Sequence, residues 1–323
     1  MKATGKAPGK GHVLALSGGV GGAKLAAGLA AILPPERLTI VVNTGDDFEH
    51  LGLTICPDID SVIYALAGLN DRLRGWGLAD ESWQALGMLK TLGEADWFRL
   101  GDRDLATHIV RSWRLREGES LSRVTARLAA GLRLAHAVVP MSDTPLRTQV
   151  ETAEGWMDFQ RYFVAEQCRP AVRGIRFAGK AEMAPGFAEA LARDDLAAVV
   201  ICPSNPFLSV DPILAVGGVR DALAGLAIPK LAVSPLIGGK AIKGPLGKLL
   251  GELGAGMGND AIATHYGRLL SHLVIDHADA EDAPDLRARG LGVTVTDTMM
   301  HNAADQQRLA HDVLAIAQID SAG

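Results

Sequence analysis

The 323-residue chain is poor in cysteine, in surplus basic charge and in long apolar runs, and each shortage removes a class of protein. Its three cysteines, Cys56, Cys168 and Cys202, lie far apart without paired spacing. Neither a disulfide framework nor a zinc site follows, and a reducing cytoplasm is the expected location. With 32 Lys and Arg against 37 Asp and Glu, the net charge of -5 offers no basic stripe, so no nucleic acid is expected as a partner. No apolar run approaches the roughly 18 residues of a membrane span, and "VLAL" near the N-terminus is too short for a signal sequence; no membrane partner is expected. The nine histidines show no H-x-x-x-H grouping. Repeats, low-complexity tracts and a Ser/Pro-rich linker are absent. What is present, 48% hydrophobic and 21% charged residues, suffices for one large core or two modest ones.

Apolar runs alternate with helical patterns. Val13 to Leu16 reads as a strand ending in glycines, Ala23 to Leu33 as a helix stopped by "PP", and "LTIVVNT" as a second buried strand. Strand, glycine turn, helix and strand within about thirty residues is a βαβ unit, the seed of a parallel sheet. Further strands are predicted at Leu196 to Cys202, Lys230 to Ser234, His272 to Asp276 and Val293 to Thr296, with helices at Pro212 to Leu226, Asp260 to Leu270 and Ala303 to Ile319. The expected fold is α/β, with helices flanking a parallel sheet. Residues 1–12 read as a flexible tail, 13–146 and 180–319 as the core with a helical segment at 61–134. Residues 147–179 read as an inserted hairpin region, because polar and apolar residues alternate around a Glu154-Gly155 turn.

Chemistry concentrates after the strands. In "SGGVGGAKL" the glycines Gly18, Gly19, Gly21 and Gly22 let backbone N–H groups approach an anion at a helix start, although a tight turn binding nothing would look the same. Lys24 occupies the third glycine position of a dinucleotide fingerprint, and no Walker loop fits either. Strand two runs into "NTGDD" and "PDID", whose carboxylates Asp46, Asp47, Asp58 and Asp60 repel one another unless a cation compensates; oxygen ligands near a diphosphate suit Mg²⁺. The alternative is that they cap turns or helices. "WFRLGDRDLATHI" offers Trp97, Arg99, Asp102 and His108 to a polar substrate, or an internal salt-bridge network. "PMSDTP" offers Asp143 and Thr144, or a capped turn. "CPSNPFLSVDP" carries Ser204, Asn205 and Ser209, a place to read a purine or ribose, and "SPLIGGKAIKGP" adds Gly238 and Gly239. Their shared position at the carboxyl edge of parallel strands is the stronger argument.

Taken together and in order, "SGGVGGAKL", "NTGDD", "PDID", "LGDRDLATHI", "PMSDTP", "VETAEG", "PSNPFLSVDPIL", "SPLIGGKAIKGP" and "DTMM" resemble the 2-phospho-L-lactate transferase family over about Val13 to Ala317. The resemblance implies a Rossmann-like fold and a role in making the deazaflavin coenzyme F-420. A lactyl, enolpyruvyl or glyceryl phosphate group would move from a guanosine diphosphate-linked donor to the ribityl hydroxyl of the deazaflavin Fo, with GMP leaving. It implies that the glycine, "PSNP" and "SPLIGG" loops hold guanosine diphosphate and that the "GDD" and "PDID" acids serve Mg²⁺ and the ribityl chain. Asp46 and Asp58 are then the expected metal ligands, Lys24 a partner of the leaving phosphate, and Asp47 or Asp60 the group that orients the hydroxyl. Some relatives carry Ala-Glu where this chain has Gly45-Asp46. A nucleotide-sugar-binding regulatory protein without turnover is the alternative, and a nicotinamide oxidoreductase is disfavoured by Lys24 and Asn43. A symmetric homodimer is the default assembly. Two substitutions express these readings: Gly21→Val is expected to abolish nucleotide binding with the fold intact, and Asp58→Asn to weaken Mg²⁺ while guanosine diphosphate still binds.

Overall fold

The computed structural model describes residues 11–321. Seven parallel strands form the central sheet: β1 (His12–Ser17), β2 (Leu38–Val42), β3 (Ala137–Pro140), β4 (Leu196–Ile201), β5 (Lys230–Val233), β6 (His272–Asp276) and β7 (Gly292–Thr296). Their spatial order is β7-β6-β5-β4-β1-β2-β3, all neighbours parallel. The chain therefore builds outward from β1 to β3 and crosses back to β4 on the other side of β1. That reversal opens a crevice beyond the carboxyl ends of β1 and β4, where open α/β sheets bind ligands.

Side-chain alternation along the strands feeds two cores. From β1, Val13 and Ala15 join one core with α1 (Gly19–Ile32), α2 (Pro57–Leu66) and α5 (Ala303–Ile316), whereas Leu14 and Leu16 join the other. The strands are apolar on both faces because both faces are covered. Gly28 lets α1 lie directly against α5: a Cβ there would strike the Gln306 carbonyl. Two more helices, α3 (Asp102–Arg116) and α4 (Leu121–Gly131), lie between α2 and β3.

Several boundaries differ from expectation. Of the predicted tail, residues 1–10 lie outside the described residues, but His12 is not tail. It opens β1, is buried, and its ring bonds Thr39 Oγ1 and the Glu36 carbonyl, both at 3.0 Å. The predicted helix at Pro212 to Leu226 is two, Asp211–Ala215 and Val219–Gly225, separated where Gly218 takes φ +80°. The inserted region is a three-stranded antiparallel sheet, Gly155–Asp158, Arg147–Thr152 and Gly174–Ala178 in spatial order, with a π-turn at Arg161–Ala165. Among the described residues no helix is long and apolar enough to cross a membrane.

Candidate active site

A cavity of about 560 Å³ lies in the crevice, a size suited to a small-molecule substrate. Its floor is the start of α1. The helix begins at Gly19 behind an N-cap glycine with no side chain; Asp58 takes the Gly19 amide, and the next amides of the first turn, Val20 and Gly21, are left for another partner. Gly18, Gly19 and Gly21 line the cavity, as do Ser204, Asn205 and Ser209 from the loop after β4.

These glycines serve the protein as well as a ligand. A Cβ on Gly18 would sit 2.7 Å from both Asp58 Oδ2 and Ser209 Cβ, one on Gly21 would strike the Pro203 carbonyl, and one on Gly22 would press on Ser204 Oγ. Two loops that approach this closely have no room for side chains between them. The expectation that Gly21→Val leaves the fold intact is therefore overturned, because the valine would meet protein backbone before any phosphate. Gly21→Ala is expected to lower stability by about 1–3 kcal/mol, whereas Gly19→Ala, at φ +62° with only Ser209 Oγ within 4 Å, carries just the backbone strain of roughly 1 kcal/mol. Urea midpoints of the two variants should fall in that order.

The acids divide into two groups. Asp58, in the first turn of α2 behind Pro57, accepts from the Gly19 amide at 2.7 Å through Oδ1 and from Asn43 Nδ2 at 2.9 Å through Oδ2. Asp46 is buried beside it, and its Oδ1 has no hydrogen-bond partner. Burial, and then the charge of Asp58, push the Asp46 carboxyl well above the usual range; burial raises Asp58 too. Two carboxylates in one dry corner do not both ionise without a cation. The orphaned oxygen and the all-oxygen donor set fit Mg²⁺. Asp47 points elsewhere: it is buried, does not line the cavity, and burial pushes its carboxyl up to about 7.

Asp60 faces the cavity but is compensated. It pairs with Arg111, which is fully buried and also donates to His108 Nδ1 at 3.1 Å. His108 Nε2 lies 3.3 Å from Asp104 Oδ2, and Asp104 Oδ1 accepts from Tyr64 Oη at 2.7 Å. Against the upward push of burial, His108 and the Tyr64 hydroxyl hold Asp104 below the ordinary carboxylate range. Candidate ligand atoms of Asp60, Asp104 and His108 come within 4.8 Å of one another, but Arg111 already supplies positive charge there. The uncompensated negative charge is at Asp46 and Asp58.

Lys24 reaches across the cavity to donate to the Met300 carbonyl at 2.7 Å, and burial, then Lys243, lower its pKa. Trp97 lines the wall, its ring 5.7 Å from Phe48 and 5.2 Å from His50, and Arg99 lines it with its guanidinium 4.5 Å over Trp83. Six expected ligand residues do not line the cavity: Gly22, which packs on Ser204, and five others. Asp102 accepts from the Gln84 and Ala85 amides, and Asp143 from the Ser122 amide at the start of α4, so both act as helix caps. Gly238 and Gly239 give their amides to Asp279, at 3.0 and 2.6 Å. Thr144 closes its own turn onto Ser142, and is exposed. Missing from the expected set were Tyr64, Asp104, Lys243, Thr298 and, from the inserted sheet, Phe159, Gln160 and Phe163. Lys243 and Asp104 stood in motifs already recognised; nothing local marked the insertion as a cavity wall.

The family model described as 2-phospho-L-lactate transferase CofD matches residues 13–313. The chain belongs to this family. Among its relatives, a phosphoenolpyruvate transferase of Kitasatospora aureofaciens is 37% identical over 316 residues, covering 95% of this chain and 98% of its own. A 2-phospho-L-lactate transferase of Methanosarcina mazei is 36% identical over 304 residues, with 94% and 99% covered. Both names are those of transferases, and the CofD family chain is accordingly an enzyme of that class. A crystal structure of a UPF0052 family protein from Bacillus halodurans superposes with a TM-score of 0.60 at 15% identity, covering 95% of this chain and 99% of that one. That likeness bears on the fold, and it agrees with the Rossmann-like arrangement.

Proposed function

We propose that this enzyme moves a 2-phospho-L-lactate-type group from a guanosine diphosphate-linked donor to the ribityl hydroxyl of the deazaflavin Fo, in coenzyme F-420 biosynthesis. The observation that carries the reading is the meeting, within one cavity, of a glycine-rich helix start with the buried acids Asp46 and Asp58, of which Asp58 holds the Gly19 amide and Asp46 keeps an oxygen without a partner. One side suits phosphate oxygens and the other suits a cation riding on them. In the reaction the hydroxyl oxygen bonds to the phosphorus carrying the lactyl-type group, the bond from that phosphorus to the GMP oxygen breaks, and the hydroxyl proton is lost.

Such transfers depend on positioning and charge neutralisation rather than on a covalent intermediate. The first-turn amides of α1 hold the leaving phosphate, and Lys24 and Lys243 add positive charge at the same end. Asp60, kept in place by Arg111, accepts a hydrogen bond from the attacking hydroxyl; Asp47 is too deep to share that task. Asp46 and Asp58 would hold Mg²⁺, which when bound neutralises the diphosphate. Asn205 spends its Oδ1 on the Phe207 and Leu208 amides and keeps Nδ2 for a purine acceptor.

Calorimetry tests the nucleotide half of this reading. Guanosine diphosphate is expected to bind more tightly than adenosine diphosphate, and equal affinities would remove the guanine-reading site.

A further inference from the structure

The inserted sheet supplies a cavity wall that the mechanism above leaves unused. Phe159, Gln160, Phe163 and Val164 all line the cavity. Gln160 is only 6% exposed, yet its side-chain amide makes no hydrogen bond among the described residues. The residue is packed into the wall while its amide is left to the cavity, where a ligand can complete it. Beside it Phe163 stacks on Phe159 with centroids 5.4 Å apart and planes at 21°, and is itself 39% exposed, so a flat aromatic face is on offer next to a free amide.

The wall is held stiff from behind. Phe163 and Val164 sit on the π-turn at residues 161–165, an uncommon geometry that concentrates at functional sites. A second π-turn, Pro206–Val210, carries Leu208 and Ser209 into the same cavity. Tyr162, buried within the first turn, accepts from Lys248 Nζ at 3.0 Å; the same ammonium donates to the Pro170 carbonyl and to Glu252, both at 2.6 Å. Glu252 in turn accepts from the Val172 amide at 2.9 Å. Both sides of the turn are thereby tied to the helix at Leu246–Glu252, which sets the wall before any ligand arrives.

We infer that Gln160, with the Phe159/Phe163 pair, is a specificity-determining subsite that reads the lactam edge of a planar heterocycle. A carboxamide pairs its C=O and N–H₂ with the N–H and C=O of such an edge, while the neighbouring phenyl face packs on the ring. The inference rests on the proposed function, in which two rings have this edge: the guanine of the donor and the pyrimidinedione of the deazaflavin. Their patterns differ. Guanine presents two adjacent donors beside its carbonyl, whereas the deazaflavin presents one N–H between two carbonyls.

Gln160→Leu and Gln160→Glu in the full chain separate the outcomes, with guanosine diphosphate titrated by calorimetry and deazaflavin alcohol by its own fluorescence. Gln160→Leu is expected to fold as the parent does, since the amide it removes holds no other residue, and to weaken one of the two ligands about tenfold while sparing the other. Gln160→Glu then identifies the ring. A carboxylate pairs with the two guanine donors, so retained guanosine diphosphate affinity places guanine there; it faces the flanking carbonyls of a pyrimidinedione, so lost deazaflavin affinity places that ring there. Unchanged affinity for both ligands in Gln160→Leu overturns the inference, and so does an equal loss of both, which would mean general damage to the wall. A parent protein that binds neither ligand refutes the proposed function itself and takes this subsite with it.

Discussion

Asp46→Asn is expected to lower turnover roughly 100-fold or more while guanosine diphosphate still binds, and at the same time to make the Mg²⁺-free protein more stable. The two effects have one cause. Asp46 is buried, its Oδ1 meets no donor, and its neighbour Asp58, a second acid, is already bonded to Gly19 and Asn43. Its folded-state pKa is raised, so the fold prefers the neutral form and stability is lost as pH rises above the ordinary carboxylate value of about 4. Asparagine is permanently neutral and nearly the same shape, so it relieves that penalty, and the relief grows from pH 4 toward neutrality. The same neutrality removes half of the charge that would hold the cation. Thermal melts across that pH range and turnover across a Mg²⁺ titration check both halves. Normal turnover would sink the metal assignment, and a loss of stability would mean that Asp46 has a donor after all. Asp58→Asn, the cleaner choice from sequence, is the poorer test: with both Asp58 oxygens accepting hydrogen bonds, an amide would also turn an N–H₂ toward a donor.

Arg111→Met is expected to be the most destabilising single change at the site. Arg111 is fully buried and supplies the cation paired with Asp60; His108 Nδ1, 3.7 Å from Asp60, itself accepts from Arg111. Breaking a buried pair from one side leaves the other charge unpaired, at a cost of about 3–5 kcal/mol. The lower figure is favoured here because Asp60 also faces the cavity and can be reached by water. Adding Asp60→Leu should recover most of the loss, since removing both charges leaves no orphan. Urea unfolding of the single and double variants measures this directly. A single variant within 1 kcal/mol of the parent, on the order of an exposed ion pair, would show that water screens the pair.

The contrast between what was and was not legible in the sequence has a physical basis. The β1-α1-β2 unit was readable because a buried strand is a short apolar run and its turn requires glycine. The crevice followed, because parallel strands put all their following loops at one edge. Caps and ligand-binding acids, however, are the same residue type in similar places: Asp102, like Asp58, stands in the first turn of a helix and Asp143 in a loop beside one, and only distant partners separate them. The amides of Gly238 and Gly239 looked free until Asp279, about forty residues later, took them. The Asp60–Arg111 pair spans 51 positions and leaves no local trace. For the insertion, alternation gave the antiparallel strands but not where they dock, which depends on Lys248 and Glu252 far along the chain.

In the proposed reaction, this cavity joins a phosphate-linked three-carbon acid to a deazaflavin alcohol. The most direct measurement is to incubate the purified chain with Fo, Mg²⁺ and guanosine diphosphate-linked lactyl, enolpyruvyl or glyceryl donors in turn, reading product masses. GMP together with Fo enlarged by the phosphate and acid of at least one donor is the predicted result. Unchanged Fo with all three donors, from protein that binds guanosine diphosphate normally, would contradict it.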